Sequence, residues 1–246
     1  GHVHIPHEGI TSYQFIEKVG RVCYKSEDKI TEDSAVKFVK GLVSRGHTAM
    51  IEHFWVHLIY NGDIYLLYRA IRDFVENDLH DLGDYSTFFR FMQVSNDERT
   101  VYLSCPIRVF TELAKRKMDK GAVPLFIREM IYKVQEDYFD FFEETSTFFS
   151  EYEDIRTDSI IVVSEDEFIF LMKEADMPEQ EIMKHNTHTF NFICNRGVSH
   201  ELVRHRPCSF AQESTRYCNY SKDKFGQEIT VIDPFTALYK DGNCDI

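Results

Sequence analysis

Apolar residues recur every three to four positions in several stretches of the chain, and this spacing is typical of helices with one buried face. The clearest stretch runs from Thr31 to Arg45. Thr31 or Asp33 can cap its first turn, and Gly46 can end it in a left-handed conformation. Similar periodicity predicts further helices over residues 64–80, 107–118, 124–149 and 199–206. Ser199 is the expected cap of the last one.

Runs rich in β-branched and aromatic residues predict strands between these helices. The predicted strands are residues 54–60, 160–163, 187–194 and 229–232. Asn61-Gly62 directly follows the first of them and is typical of a hairpin turn. The first 60 residues are therefore expected to form a helix, a polar loop and a strand.

The segment from residue 64 to residue 184 differs in pattern and charge. Between Glu151 and Lys184 there are eleven acidic and three basic residues, a balance typical of a solvated surface. We interpret 64–184 as a large, mainly helical, acidic insertion in a single domain that covers residues 1–246. Its phenylalanines, Phe139 to Phe149, fit a core better than a cofactor site.

Length and charge restrict the class of function. A chain of 246 residues is long enough for one large domain, and 14% aromatic residues can build a substantial core. The net charge of -13 argues against a protein that coats nucleic acid, because such proteins normally present a basic face. The net charge is compatible with a small phosphorylated ligand, since a local basic cluster is enough to bind one.

No run of 18 apolar residues and no signal segment is found, so we expect a soluble, cytoplasmic protein without a membrane partner. Six widely spaced cysteines without a CxxC pair predict reduced thiols. The histidines at positions 2, 4 and 7 resemble a metal-binding tract, but a flexible terminus or cloning remnant explains them better.

The polar stretch, defined as Arg204–Tyr217, holds three arginines, a histidine, two serines, a glutamine and a tyrosine. A guanidinium group donates two parallel hydrogen bonds that match phosphate oxygens. Three such groups suit a ligand with more than one phosphate. The alternative is a surface loop with salt bridges to the acidic segment.

Ser214 lacks a GxSxG setting, so it fits phosphate binding better than nucleophilic attack, and Cys208 or Cys218 as thiol nucleophiles is a secondary alternative.

A second group is Gly46-His47 with Glu52-His53. Metal binding is the weaker interpretation here, because the spacing is not HExxH and we predict no metal site. A buried histidine after a glycine cap and a histidine that contacts a ligand are equally compatible with the pattern.

Two motifs in the same order resemble the flavin-dependent thymidylate synthases. That family has Arg-His-Arg, then Ser, then Ser-x-Arg-Tyr, as in Arg204–Arg206, Ser209 and Ser214–Tyr217. It also has an arginine–aromatic motif before a helix, then Gly-His and Glu-His, as in Arg21–Tyr24 and His47–His53. The resemblance covers about Ile10–Tyr60 and His185–Pro234 and omits the predicted insertion.

The resemblance implies an α+β subunit with a central, mainly antiparallel sheet flanked by helices, assembled as a homotetramer with FAD between subunits. It implies reductive methylation of dUMP to dTMP, with methylenetetrahydrofolate as carbon donor and NADPH as the reductant of FAD. Two alternatives are a flavin- or nucleotide-binding relative without catalysis and, less compatible with the net charge, a nucleic-acid-binding module.

By the same resemblance, groups of residues are expected to serve each ligand. The catalytic residues would be Arg204, Ser214 and Arg216. The dUMP site would comprise Glu201, Arg204, Gln212, Glu213, Ser214, Thr215 and Arg216. The FAD site would comprise His47, Ala49, His53, Arg204, His205, Arg206 and Gln212.

The chain differs from the family at several of these places. Cys23 and Gln212 stand where serine and glutamate are usual, Glu201 stands where glutamine is usual, and Ala49 lacks the usual small polar group. The family's C-terminal block, an Asn-x-Arg segment followed by His-Phe and a late arginine, is not found. The remaining explanations are a truncated chain, substitution by residues 64–184, or loss of activity.

Overall fold

The computed structural model describes residues 2–5, 9–65, 67, 92–95, 99–115, 125–142, 159–205, 208–225 and 227. The α-helices are α1 (Ser12–Tyr24), α2 (Ser34–Ser44), α3 (Ile107–Lys115), α4 (Leu125–Asp137), α5 (Glu165–Glu174), α6 (Glu179–Met183) and α7 (Arg196–Leu202). Short 3-10 helices lie at Glu27–Lys29, Met50–His53, Phe139–Phe141 and Asp223–Phe225. No helix in the described ranges is long and apolar enough to cross a membrane.

The flanking residues determine where α1 and α2 begin and end. Thr11 starts α1 with a capping box, in which its N–H donates to Gln14 Oε1 over 2.9 Å and its side chain accepts from the Gln14 N–H. α2 ends as the sequence predicts, with Gly46 at a φ of +69°. The amide groups of Gly46 and His47 donate to carbonyl groups of the last turn over 3.0 and 2.9 Å, which is a Schellman motif. This ending fixes the backbone at His47.

The larger sheet is antiparallel throughout. Its strands are β2 (Trp55–Asn61), β3 (Met92–Val94), β4 (Thr100–Pro106) and β5 (Ile160–Val163). Their order across the sheet is β3-β4-β2-β5. In the central strand, Leu58 pairs with Leu103 of β4 and with Val162 of β5. The predicted α+β class, with a mainly antiparallel sheet flanked by helices, is confirmed.

A separate antiparallel pair joins the first strand of the chain to the strand that precedes α7. It consists of β1 (His2–Ile5) and β6 (Thr189–Phe192). The strand predicted within 187–194 is confirmed. The prediction of a flexible N-terminus is wrong for residues 2–5, because their backbone pairs with β6.

Each face of the larger sheet has its own hydrophobic cluster. The main core packs α1, α2, α3 and α4 against the face that includes Leu58 and Leu103. The second cluster packs α5 and α6 against Ile59 and Tyr102. Because neighbouring residues of a strand point to opposite faces, the two clusters lie on opposite sides of the sheet.

The segment 64–184 is built into this fold. It supplies β3, β4 and β5, and its helices α3 and α4 supply much of the main core. The predicted helices at 107–118 and 124–149 correspond to α3 and α4, and the predicted strand at 160–163 is β5. That the segment is an insertion relative to the family stays a prediction, but its described part is not separable from the sheet.

Two local predictions are wrong. Asn61-Gly62 does not turn a hairpin, because residues 64, 65 and 67 are helical and β2 pairs with β4 and β5. The helix predicted from Ser199 begins at Arg196, because Asn195 caps it by accepting the Val198 N–H over 2.9 Å. Arg206, the predicted strand 229–232 and most of the predicted helix 64–80 lie outside the described residues.

Candidate functional site

The polar stretch is anchored against the C-terminal end of α1. Ala211 packs on the main core, and the Ser214 N–H donates to the Cys23 carbonyl group over 3.0 Å. The Ser214 carbonyl group then accepts the N–H groups of Tyr217 and Cys218 over 3.1 and 2.8 Å. These bonds hold the serine–arginine turn beside the arginine–aromatic motif of α1.

Tyr24 joins this turn to the loop after α2. Its Oη lies 2.6 Å from Nδ1 of His47, and the two rings are nearly parallel, with centroids 6.2 Å apart and an interplanar angle of 19°. Tyr24 also forms an edge-to-face pair with Tyr217, with ring centroids 5.1 Å apart. Three motifs that are far apart in the sequence therefore meet at the end of α1.

The loop that follows His47 is held by α3. Buried Thr48 donates to Glu112 Oε1 over 3.2 Å, and the Arg108 guanidinium pairs with Glu52 while its Nε lies 3.6 Å from Glu112. An arginine thus neutralises Glu52, the acid between the two histidines. Within the described ranges, no group of three or more His, Cys, Asp or Glu side chains is placed to hold a metal ion.

The FAD residues predicted on this loop differ in exposure. His47 and Ala49 are exposed, whereas His53 is half-buried at the end of the 3-10 helix before β2. His47 is connected to the polar stretch through Tyr24. Ala49 precedes the 3-10 helix that leads to β2, and His53 is the last residue of that helix.

Buried thiols lie under the site. The Cys23 Sγ is 3.4 Å from Met50 Sδ, and burial raises the pKa of Cys23 to about 11. Cys218 is also buried, at 1% exposure, whereas Cys208 is exposed. Because both thiols are buried, Cys23 and Cys218 act as small core residues and neither suits nucleophilic attack.

Helix α7 forms the other wall of the site and positions two predicted dUMP residues. The Gln212 amide donates to Ser199 Oγ over 2.7 Å, and the Arg196 guanidinium donates to Thr215 Oγ1. Sequence analysis missed Arg196 and gave Ser199 a different role. Asn195 is the sequence feature that could have indicated both roles. It caps the helix, which therefore begins three residues earlier than predicted.

Glu213 is turned toward the end of α1. It accepts a hydrogen bond from the Tyr220 hydroxyl group, and Lys25 lies over the Tyr220 ring with its Nζ 4.8 Å from the centroid. Lys25 has a φ of 46°, because it is the left-handed cap that ends α1. The carboxylate of Glu213 is therefore engaged within the chain.

The cationic side chains of the site face outward. Arg204, His205 and Arg216 are exposed, and neither arginine forms an ion pair with an acidic residue in the described part of the chain. The alternative of a loop held by salt bridges to the acidic segment is not seen for these residues. Beside them, a groove of about 530 Å³ runs along α7, lined by Gly197, Val198, Glu201, Leu202 and His205.

These residues supply several hydrogen-bond donors and, within the described ranges, no metal ligand set. The donors are two guanidinium groups, two imidazoles, and the hydroxyls of Ser214 and Thr215. Such a set suits an anionic ligand with a flat ring, since guanidinium and imidazole planes bind phosphate and stack on rings. The predicted nucleotide and flavin residues meet this chemical requirement.

Comparison with known proteins agrees with these motifs. Residues 127–243, a little under half of the chain, match the family described as thymidylate synthase complementing protein. A flavin-dependent thymidylate synthase of Geobacter sulfurreducens is 36% identical over 61 residues. That alignment spans 24% of this chain and 26% of the relative. No solved structure matches the chain significantly.

Both comparisons confirm the family that the sequence resembles, and the matched range includes the polar stretch but not Ile10–Tyr60. The matched region begins at residue 127, inside the segment predicted to be an insertion. The matched range thus includes residues 127–184, while the bounds of the insertion stay a prediction.

Proposed function

Since residues 127–243 match the thymidylate synthase complementing protein family, we propose that the chain is a flavin-dependent thymidylate synthase. The reaction would be reductive methylation of dUMP to dTMP, with methylenetetrahydrofolate as the carbon donor. The observation that supports this proposal is the meeting of three motifs at the end of α1. Ser214 bonds to Cys23, and Tyr24 contacts both His47 and Tyr217.

The proposed dUMP site lies on the turn that follows Gln212. Arg216 and Arg204 would bind the phosphate and the uracil, and Ser214 and Thr215 would add hydroxyl donors. Arg196 holds the Thr215 side chain, so this contact pre-organises the turn before the nucleotide binds. Glu201 would be directed at donors of the base or sugar, because a carboxylate repels a phosphate, whereas Glu213 would act indirectly, since its carboxylate is bonded to Tyr220.

FAD would be held by His47, Ala49, His53, Arg204, His205, Arg206 and Gln212. When bound and reduced by NADPH, FAD supplies the hydride for the reaction. The protein's own contribution is electrostatic: exposed Arg204 and Arg216 have charge that no described acid neutralises, so they can stabilise negative charge on the uracil.

We also propose the homotetramer that the family resemblance implies. Apolar side chains are exposed beside the site on β6 and α7, and the residues are Phe190, Phe192, Ile193, Val198 and Leu202. A neighbouring subunit that covered them would remove this surface from water and exclude solvent from the groove. Light scattering coupled to size exclusion tests this part, and a monomer at micromolar concentration would contradict it.

Two measurements test the function. The purified protein should bind FAD with absorbance at about 450 nm, and it should release tritium from 5-tritiated dUMP when the folate donor and NADPH are present. Flavin binding without tritium release would favour the second candidate, a binding protein without catalysis. A protein that binds no flavin would contradict the proposed enzyme, and one that binds neither flavin nor dUMP would contradict both candidates.

A further inference from the structure

Tyr24 stands at the centre of the candidate site, although neither the family resemblance nor the comparisons give it a role. Its hydroxyl group contacts His47 Nδ1 over 2.6 Å, a short and well-formed hydrogen bond. Its ring is fixed on two sides, by Phe38 at 6.5 Å and by Tyr217 at 5.1 Å, both edge to face. A side chain held in this way can orient its partner.

The tautomer of His47 decides the direction of this hydrogen bond, because a phenol can donate to a ring nitrogen or accept from it. Burial raises the pKa of Tyr24 above its ordinary value, so the group remains a phenol at neutral pH. A phenol donates its proton to an unprotonated ring nitrogen. A neutral imidazole has one donor and one acceptor, so when Nδ1 accepts, the ring proton resides on Nε2.

The backbone of His47 is fixed as well. The Schellman motif at the end of α2 uses the His47 N–H, and the next residue, Thr48, is buried and bonded to Glu112. The imidazole is nevertheless exposed, so its Nε2 edge, opposite the Tyr24 contact, is accessible. A ring with fixed position and fixed tautomer presents one directed donor to a ligand.

We propose that Tyr24 is a positioning residue that holds His47 in the tautomer with the proton on Nε2, so that His47 donates a hydrogen bond to an acceptor atom of a flat, hetero-aromatic ligand. In the context of the proposed function that ligand is the flavin ring, and this identification rests on it. The hydrogen bond itself is a property of the chain and is testable without any cofactor.

The first test uses protein labelled with ¹⁵N-histidine and Tyr24→Phe. This variant keeps the ring contacts with Phe38 and Tyr217 and removes only the hydroxyl group. We expect the unchanged protein to show His47 with a hydrogen-bonded, unprotonated Nδ1 and a protonated Nε2 in two-bond ¹H–¹⁵N spectra. In Tyr24→Phe the Nδ1 resonance should move to the position of a nitrogen without a donor, and the other tautomer should appear.

Tyr65→Phe is the matched control, since Tyr65 is 75% exposed and lies on a different segment. It should leave the His47 resonances in place. Identical His47 spectra in the unchanged protein and in Tyr24→Phe would overturn the proposal, because a purely structural tyrosine would not set the tautomer.

The second test measures flavin binding. Loss of one neutral hydrogen bond should weaken FAD binding by roughly two- to tenfold in Tyr24→Phe. His47→Gln, whose amide reaches the position of Nε2, should retain more binding than His47→Asn, whose amide lies at the position of Nδ1. Equal losses in these two variants would contradict the Nε2 donor.

The two tests separate the inference from the proposed function. If the unchanged protein binds no FAD, the proposed function is contradicted, while the nitrogen resonances still decide whether Tyr24 sets the His47 tautomer.

Discussion

The two walls of the candidate site differ in where their polar groups find partners. On the α1–α2 wall, Glu17 is 1% exposed and binds both Arg21 and Ser34, each over 2.7 Å. On the α7 wall, which comprises α7 and the polar stretch that contacts it, Arg204 and Arg216 are exposed and no acid of the described chain pairs with them. The first wall is therefore completed by folding alone, whereas the second has charge available for a ligand.

This difference separates two kinds of mutational effect. A substitution in the α1–α2 wall or in the core beneath it should reduce stability, because it leaves a cavity or an unpaired buried group. A substitution on the α7 wall should leave stability nearly unchanged and reduce binding.

The largest effect is expected at Phe110, which is fully buried in α3. Phe110→Ala should lower the free energy of unfolding by about 3–5 kcal/mol, because the lost ring leaves a cavity in the main core. Urea denaturation followed by circular dichroism measures it. Phe170→Ala is the matched control, since Phe170 is 58% exposed and its loss should change stability by less than about 0.5 kcal/mol. Equal effects would mean that α3 is not part of the core.

Lowering the pH should reduce the stability of the fold through His185. This side chain has no exposed surface and contacts Ser104 through Nδ1. Burial lowers the pKa of His185 from 6.5 to about 4. The unfolded chain then binds a proton that the folded chain does not, so this group's stabilisation is present above pH 6.5 and is lost as the pH falls to about 4. The loss should amount to about 3 kcal/mol.

His185→Asn isolates this contribution, because the asparagine amide can still meet Ser104 but does not titrate. The stability difference between this variant and the unchanged protein should shrink as the pH falls from 6.5 to 4. A constant difference over that range would show that His185 is not the responsible group. Carboxylates titrate in both proteins, so the comparison removes their effect.

Local sequence signals predicted part of the fold and missed a central strand. The end of α2 was predictable because Gly46 allows a left-handed φ, a property of one residue. β5 was predictable because Ile160–Val163 is a run of β-branched residues. β4 was missed because Thr100–Pro106 is buried on both faces, so it lacks the alternation that marks a strand. Its identity depends on pairing with β2, which lies far away in the sequence.

The candidate site, like the fold, was predictable from the sequence only in part. The density of arginine and hydroxyl groups in Arg204–Tyr217 pointed to a ligand from the sequence alone. The contacts of Tyr24 with His47 and of Arg196 with Thr215 were not predictable, because each joins residues that are brought together only by the folded chain. The helix start was mispredicted because Asn195 and Ser199 are both good caps, and the sequence does not rank them.

The smallest effect on the fold, and the most selective one on binding, is expected at Arg216. Arg216→Ala should leave the unfolding free energy within about 0.5 kcal/mol, since the side chain is exposed and has no acidic partner in the described chain. If it binds the nucleotide, dUMP affinity should fall by roughly 10- to 150-fold, the value of a charge-assisted hydrogen bond, while FAD affinity changes less.

Lys222→Ala removes one exposed positive charge from the same segment and serves as the control for net charge. Calorimetric titration of both variants with each ligand decides the assignment. Equal losses for dUMP and FAD would place Arg216 outside the nucleotide site, and equal losses in Lys222→Ala would reduce the α7 wall to a general attraction for anions.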